Sequence, residues 1–343
     1  MLFLKARSGS GPIVDHNMIN KLLTALFFLL LFVLVSVVLL IRFFGPPGNS
    51  NQIEVFVVPQ QEYYDVTVQS LMDQKYIKNA KAFSFLLNNF SKAAEIKPGG
   101  YNLRRNMNAW QVMKKITGNT DLVWVTISFC PRKEQVGEKL AVALNWDENQ
   151  LTAWNNLYKN DKPEYFEGVY YPDTYLIPVD ASPAQVAQRF INHFNEKIAP
   201  LADEFTSKNI KWTTGLKIAS LIAREAAGPS DMNLISGIIW NRLNQGIRLQ
   251  IDATMQYTLG KNADGSWWGP VSLDEKKSDS PYNSYLHEGL PPTPICSPNI
   301  DAITAALNPE NTDCLYYLHD SAKEIHCAVT YAEHLANIKT YLK

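Results

Sequence analysis

One acidic side chain in this sequence falls where solvation disfavours it. Given a helical period, residues 217–227 place Ile218, Ile222 and Glu225 on one stripe, with Leu221 beside it. Lys217 and Arg224 fall on the other side. A carboxylate on an apolar stripe costs free energy unless it is neutral or paired. The structural explanation is an ion pair with an arginine such as Arg242 or Arg248, or partial exposure near the helix end. The chemical explanation is a general acid. A carboxyl in an apolar pocket stays protonated near neutral pH and can donate to a leaving oxygen. Hydrolysis by the usual two-carboxylate route to a glycoside needs a second acid. Asp252 and Glu288 are candidates, and no spacing singles either out. The six histidines lack HxxxH spacing and the four cysteines lack CxxC spacing, so no metal site and no cofactor are expected.

The elements that must position Glu225 can be read on either side of it. Gly228-Pro229 stops its helix. Ser230 or Asp231 is placed to cap a second helix, buried through Leu234, Ile235, Ile238, Ile239 and Leu243 and ended at Gly246. Arg248, Gln250 and Asp252 then alternate with Leu249 and Ile251. Read as a strand, this puts three polar side chains on one face, for a polar ligand or for solvent. Read otherwise, Asp252 caps a helix over 253–259.

The whole chain has 343 residues, enough for two or three domains or one body with an anchor. A formal net charge of −1 gives no argument for nucleic acid as a partner. Residues 22–41 carry no charge and have the length of a membrane-spanning helix. Lys5, Arg7 and Lys21 precede this run and only Arg42 closely follows it. The positive-inside rule therefore puts the N-terminus in the cytoplasm and the body outside. A cleaved signal peptide is the rival reading, but the run is too long and no small-x-small site precedes Arg42. Four cysteines allow three complete disulfide pairings, with no basis for choosing among them. The expected organisation is a tail (1–20), a transmembrane helix (21–42) and a Gly/Pro linker (43–52). A small α/β module (53–120), an intermediate α/β region (121–207) and a catalytic domain (208–343) follow.

Within the module, a strand at 53–59, helices at 69–79 and 82–90, a second strand after Pro98-Gly99-Gly100 and a helix at 109–116 give a strand–helix–helix–strand order. That order is compatible with a LysM-like carbohydrate module and with a generic spacer. Further on, a strand at 124–128 and helices at 132–144 and 182–195 are expected. The aromatic run 168–175 serves either a core or a groove. The pair Trp267-Trp268 either stacks on a ligand or anchors its loop.

Several stretches together resemble the YceG-like family, the endolytic murein transglycosylases. They are IKPGGY at 96–101, EGVYYPDTY at 167–175, IASLIARE at 218–225, NRLNQGIRLQIDATMQY at 241–257 and SPYNSYLHEGLPPTPICSPN at 280–299. The closing portion, with LYYLHD and HCAVTYAEH, is similar to the family's final strands and EH signature. The resemblance covers about residues 53–343. It implies an α+β fold and a lyase of the cell membrane that acts on peptidoglycan glycan strands. Cleavage between N-acetylmuramic acid and N-acetylglucosamine would leave 1,6-anhydro ends. It implies Glu225 as catalytic acid, and Gln250, Asp252, Tyr282, Asn283 and Tyr285 as residues lining the sugar groove. It also implies the cell-wall synthesis machinery as a partner. A muramidase that admits water and a non-catalytic wall-binding scaffold are the alternatives. The family commonly has an acid two residues before the catalytic one; here that position is Ala223.

Overall fold

The computed structural model describes residues 16–61, 63–91 and 96–342. The expected cytoplasmic tail lies largely outside them, including Lys5 and Arg7. The chain divides into two compact units, 1–121 and 122–343.

The first unit opens with helix α1 (His16–Phe44), long and apolar enough to cross a membrane. Its apolar side chains from Leu22 to Ile41 are exposed, which water does not tolerate over such a length. Strand β1 (Glu54–Val58), helices α2 (Tyr64–Asp73) and α3 (Ala80–Phe90), strand β2 (Gly99–Leu103) and helix α4 (Ala109–Ile116) follow. The strands pair antiparallel, with Phe56 opposite Tyr101. Phe56, Leu71, Leu87, Tyr101, Leu103, Val112 and Ile116 are fully buried and form the core of this unit.

Helix α2 runs earlier than the expected 69–79. Lys75, at φ 62°, adopts the left-handed backbone just beyond its end, and Asn79 caps α3 by accepting from the Ala82 amide at 2.9 Å. The segment expected as a linker is tied down. Phe44 packs on the core, and Lys78 Nζ donates to the Ile41 carbonyl at 3.2 Å. The Gly48 amide donates to Arg105 O at 3.0 Å, and the Asn106 amide donates to Ser50 O at 3.1 Å. Glycine and proline here shape a fixed path.

The second unit holds β3 (Leu122–Thr126), α5 (Lys133–Leu144), α6 (Glu148–Asn156), β4 (Thr174–Pro178), α7 (Pro183–Ile198) and α8 (Ala202–Ser207). It continues with α9 (Trp212–Glu225), α10 (Met232–Asn244), α11 (Asp252–Leu259), α12 (Ile300–Leu307), β5 (Tyr316–His319), β6 (Ile325–Ala328) and α13 (Tyr331–Tyr341). β3 pairs antiparallel with β4, and β5 with β6. One core runs from Val125 to Leu307, so the expected boundary at 207/208 falls inside a single packed body. The aromatic run at 168–175 belongs to that core. Tyr170 is fully buried against Trp154 and Phe190, with ring centroids 5.0 and 5.9 Å away.

Helix α9 is the central element. Ile218, Leu221 and Ile222 are fully buried, each contributing about 1.5–3 kcal/mol of apolar burial. Ser220 is buried beside them and accepts from the Ile295 amide at 3.1 Å, which pins the 295–297 loop to α9. Cys296 in that loop is bridged to Cys130, with Cα atoms 5.0 Å apart. Cys314 is bridged to Cys327, joining the approach to β5 with β6. At Gly237 on α10, a Cβ would stand 2.3 Å from the Glu310 carbonyl oxygen. Only glycine lets the chain leading to β5 lie this close to the helix.

Candidate active site

Glu225 is the last residue of α9, where the apolar stripe meets an open cleft. The cleft has a volume of about 420 Å³ and is lined by Glu225, Gln250, Asp252, Tyr285, Tyr317 and His334, among others. A second hollow of about 480 Å³, between Phe194, Phe205 and Trp212, is more apolar and has no carboxylate in its wall. Of these two, the first has the carboxylates for acid–base chemistry.

The hydroxyl of Tyr317, on β5, donates to Glu225 Oε2 at 2.6 Å. Burial pushes the Glu225 carboxyl above its ordinary range, and the Asp252 charge pushes the same way; the Tyr317 hydrogen bond, Arg224 and His319 oppose it. The balance is upward, as a general acid requires. The Tyr317 hydroxyl is itself pushed well up by burial and by Glu225, so it remains a donor.

Neither arginine considered as a partner of Glu225 pairs with it. Arg242 donates to three backbone carbonyls: Leu315 at 2.6 Å, Arg248 at 3.1 Å and Leu249 at 2.7 Å. It thereby ties α10 to both walls of the cleft. Arg248 is exposed and reaches the Tyr285 carbonyl at 3.4 Å. Arg224 lies over the Trp268 ring, 4.1 Å from its centroid.

Residues 248–252 are not a strand. Gln250 takes the left-handed backbone, φ 55°, which breaks the alternation, and Asp252 begins α11. Gln250 and Asp252 nonetheless both face the cleft. Ser284 holds this turn: its carbonyl accepts from the Gln250 amide at 3.0 Å, and its hydroxyl accepts from the Ile251 amide at 2.9 Å. The Asp252 carboxylate accepts from the Tyr285 hydroxyl and from Lys276 Nζ, the latter at 2.7 Å. Lys276 also donates to the Tyr285 hydroxyl at 3.0 Å, closing a triangle.

Two residues of the SPYNSY stretch stand elsewhere. Asn283 is fully buried; it donates to the carbonyls of Lys276 at 3.0 Å and Ser278 at 2.7 Å and accepts from the Tyr285 amide at 2.9 Å. It supports the cleft wall from behind. Tyr282 packs on Tyr257, with centroids 4.9 Å apart, and its hydroxyl is hydrogen-bonded to Thr293 Oγ1 at 2.9 Å. Neither lines the cleft. Glu288 is exposed and also stands outside it.

Trp267 and Trp268 anchor their loop. Their indole N–H groups donate to Glu138 at 3.3 Å and Gln135 at 3.1 Å on α5. A second buried acid, Glu167, is pushed up to about 7 by burial. It is only 1% exposed and is enclosed by the Lys133 and Gly168 amides and the Tyr257 hydroxyl, so no substrate reaches it.

Sequence reasoning missed Tyr317, Tyr316 and Tyr331 in the cleft wall, and it did not single out His334. The signal for Tyr317 was the alternation of LYYLH, which sets Tyr317 and His319 on one side of a strand. Glu333 of the EH pair is a helix cap: its carboxylate accepts from the Thr330 amide at 3.0 Å, and its own amide donates to Thr330 Oγ1 at 3.2 Å.

A half-buried acid with its carboxyl pushed up by burial, clamped by a tyrosine and open to a polar cleft, has the parts of a general acid. The comparisons with known proteins then give the family: residues 56–340 match the YceG-like family, and the chain belongs to it. It is 26% identical over 299 residues to an endolytic murein transglycosylase of Bacillus subtilis, covering 81% of each chain. It is 25% identical to an endolytic murein transglycosylase of Streptococcus pneumoniae over 86% of this chain and 59% of that longer relative. A crystal structure of a YceG-like protein from Listeria monocytogenes superposes with a TM-score of 0.56 at 27% identity, covering 84% of this chain and 99% of that one.

Proposed function

We propose that this protein is a membrane-anchored lytic transglycosylase that cuts peptidoglycan glycan strands internally. The bond cut joins N-acetylmuramic acid to N-acetylglucosamine. Glu225 gives its proton to the glycosidic oxygen as the C1–O bond breaks. The carboxylate so formed takes the proton of the muramic C6 hydroxyl while O6 closes on C1. The product is a 1,6-anhydro end, the acid returns to its protonated form, and no water is consumed. Tyr317 holds one carboxyl oxygen, which leaves the other to the substrate. Gln250, Asp252 and Tyr285 contact sugar in the cleft; Tyr282 and Asn283 serve the reaction through the wall they support.

The observation that carries this reading is the state of the two carboxyl groups in the cleft. Burial pushes the Glu225 carboxyl up, whereas Asp252 is engaged by Lys276 and Tyr285. A water-using muramidase is the second reading, because Asp252 shares the cleft and is a carboxylate of the type an inverting or retaining hydrolase needs. Its Oδ1 is already engaged by Lys276 and Tyr285. Mass spectrometry of products from uncrosslinked glycan strands decides: the lyase gives ends lighter by one water, the hydrolase does not. A non-catalytic scaffold gives no product and still binds strands.

The apolar helix α1 supports a single-pass anchor with its N-terminus in the cytoplasm and the catalytic unit outside. Two disulfides favour the same side, since the cytoplasm keeps thiols reduced. The β–α–α–β order of the first unit supports a LysM-like glycan-holding module. Placed at the membrane beside the cell-wall synthesis machinery, such an enzyme would cut new strands and end their growth. If a soluble form lacking residues 1–43 fully replaced the anchored form in cells, membrane-proximal action would be excluded.

A further inference from the structure

The turn leaving α9 and the strand facing it are held by one buried carboxylate. Asp231 is 5% exposed and stands just before α10, where a capping residue is expected. Its side chain makes no bond to that helix's own amides. It accepts instead from the Ala227 amide at 2.9 Å and the Gly228 amide at 3.2 Å, in the turn just beyond Glu225. It also lies 2.7 Å from Nε2 of His319. An ionised carboxylate only accepts, so the imidazole presents an N–H there. His319 is two residues along β5 from Tyr317, which donates to Glu225. Their rings meet edge to face, with centroids 6.1 Å apart. The contacts close a circuit: Glu225, its turn, Asp231, His319, Tyr317 and back to Glu225.

We propose that Asp231 and His319 are positioning residues for the reaction, a carboxylate–imidazole pair that fixes the helix end bearing Glu225 against the strand bearing Tyr317. This rests on Glu225 being the acid. Neither residue lines the cleft, so neither touches substrate; both act through the Tyr317–Glu225 hydrogen bond. The charged and titratable groups facing Glu225 are Arg224 on its own helix, Asp252 on α11, and Tyr317 and His319 on β5. Positive charge at His319 favours the carboxylate, so the pair also influences where the acid titrates. A purely structural pair would affect folding alone.

The test uses the full chain in detergent on uncrosslinked glycan strands, with H319Q, D231N, Y317F, the double variant H319Q/Y317F and E225Q. H319Q keeps an N–H for Asp231 but carries no charge, and D231N weakens the turn. In both, kcat falls by up to about tenfold, no more than in Y317F, the cost of a small misplacement of a reacting group, while KM stays within about twofold. The alkaline limb of the H319Q pH profile moves upward. The double variant H319Q/Y317F is no slower than Y317F, because His319 acts through Tyr317. Wild-type kcat and an unmoved limb in H319Q and D231N, with only a lower melting temperature, would overturn the proposal. So would a change confined to KM, or fully additive losses in the double variant. If H319Q does not fold, D231N decides by the same kcat and KM criteria. E225Q separates the two levels: activity in E225Q removes the acid assignment itself, whereas an inactive E225Q beside a wild-type-like H319Q removes only the positioning pair.

Discussion

Replacing Tyr317 by phenylalanine deletes one oxygen and keeps the ring that packs in the cleft wall. The lost contact is the 2.6 Å hydrogen bond to Glu225 Oε2. A hydrogen bond to a charged group is worth about 1.5–3 kcal/mol, and this one favours the carboxylate over the acid. Removing it leaves burial and the Asp252 charge less opposed, so the Glu225 carboxyl rises further. A general acid works while protonated, so activity is lost as pH rises through its pKa. In Y317F that loss comes at higher pH. At the optimum the same variant is slower, on the order of tenfold, because the carboxyl rotates more freely. Initial rates across the pH range on uncrosslinked glycan strands, followed by product chromatography, measure both effects. An alkaline limb that stays in place or moves down would refute the electrostatic reasoning, and an undiminished kcat would refute the clamp.

Three other substitutions probe the cleft. D252N removes a negative charge that holds the Glu225 carboxyl up, so the alkaline limb moves down while turnover persists; abolished turnover in pH-rate assays would point to the two-carboxylate hydrolase instead. E225Q is more stable than wild type at alkaline pH by differential calorimetry. The folded-state pKa of Glu225 is raised, so wild-type stability falls as pH rises from the unfolded carboxyl range, about 4.3, through the folded value, and glutamine does not titrate. An advantage that grew on acidification would contradict this sign. N283A leaves two buried carbonyls and the Tyr285 amide without their partner, and it destabilises the fold by roughly 2–4 kcal/mol in denaturant titrations. A loss of substrate binding with unchanged stability would return Asn283 to the sugar groove.

The parts legible in the sequence were those where a local pattern and the tertiary need agree. Glu225 on an apolar stripe predicted a half-buried acid, because α9 is packed along its length and only its end opens to the cleft. Of the two readings of Arg248, Gln250 and Asp252, the strand fails and the helix that begins around Asp252 stands. The geometry of this stretch is set from outside, by Arg242 on two of its carbonyls and Ser284 on two amides, and local alternation carries no trace of these. In the SPYNSY stretch, adjacent residues divide between cleft and interior: Tyr285 reaches Asp252, while Asn283 turns to backbone carbonyls. Motif agreement assigns the stretch to the site but does not say which face each residue takes. Among the helices that went unread, three have clear start signals: Asp147 with Gln150 opens α6, Asn299 caps α12, and Thr330 with Glu333 opens α13. Asp231 was placed at the right helix start with the wrong task, because its partner His319 lies 88 residues further along the chain.

The most direct measurement is the mass of the ends released from uncrosslinked glycan strands by the wild-type protein and by E225Q. The wild type releases 1,6-anhydro ends, lighter by one water than hydrolytic ends, and E225Q releases none. Reducing ends that have gained water from the wild type, or anhydro ends from both proteins alike, would contradict the proposed mechanism.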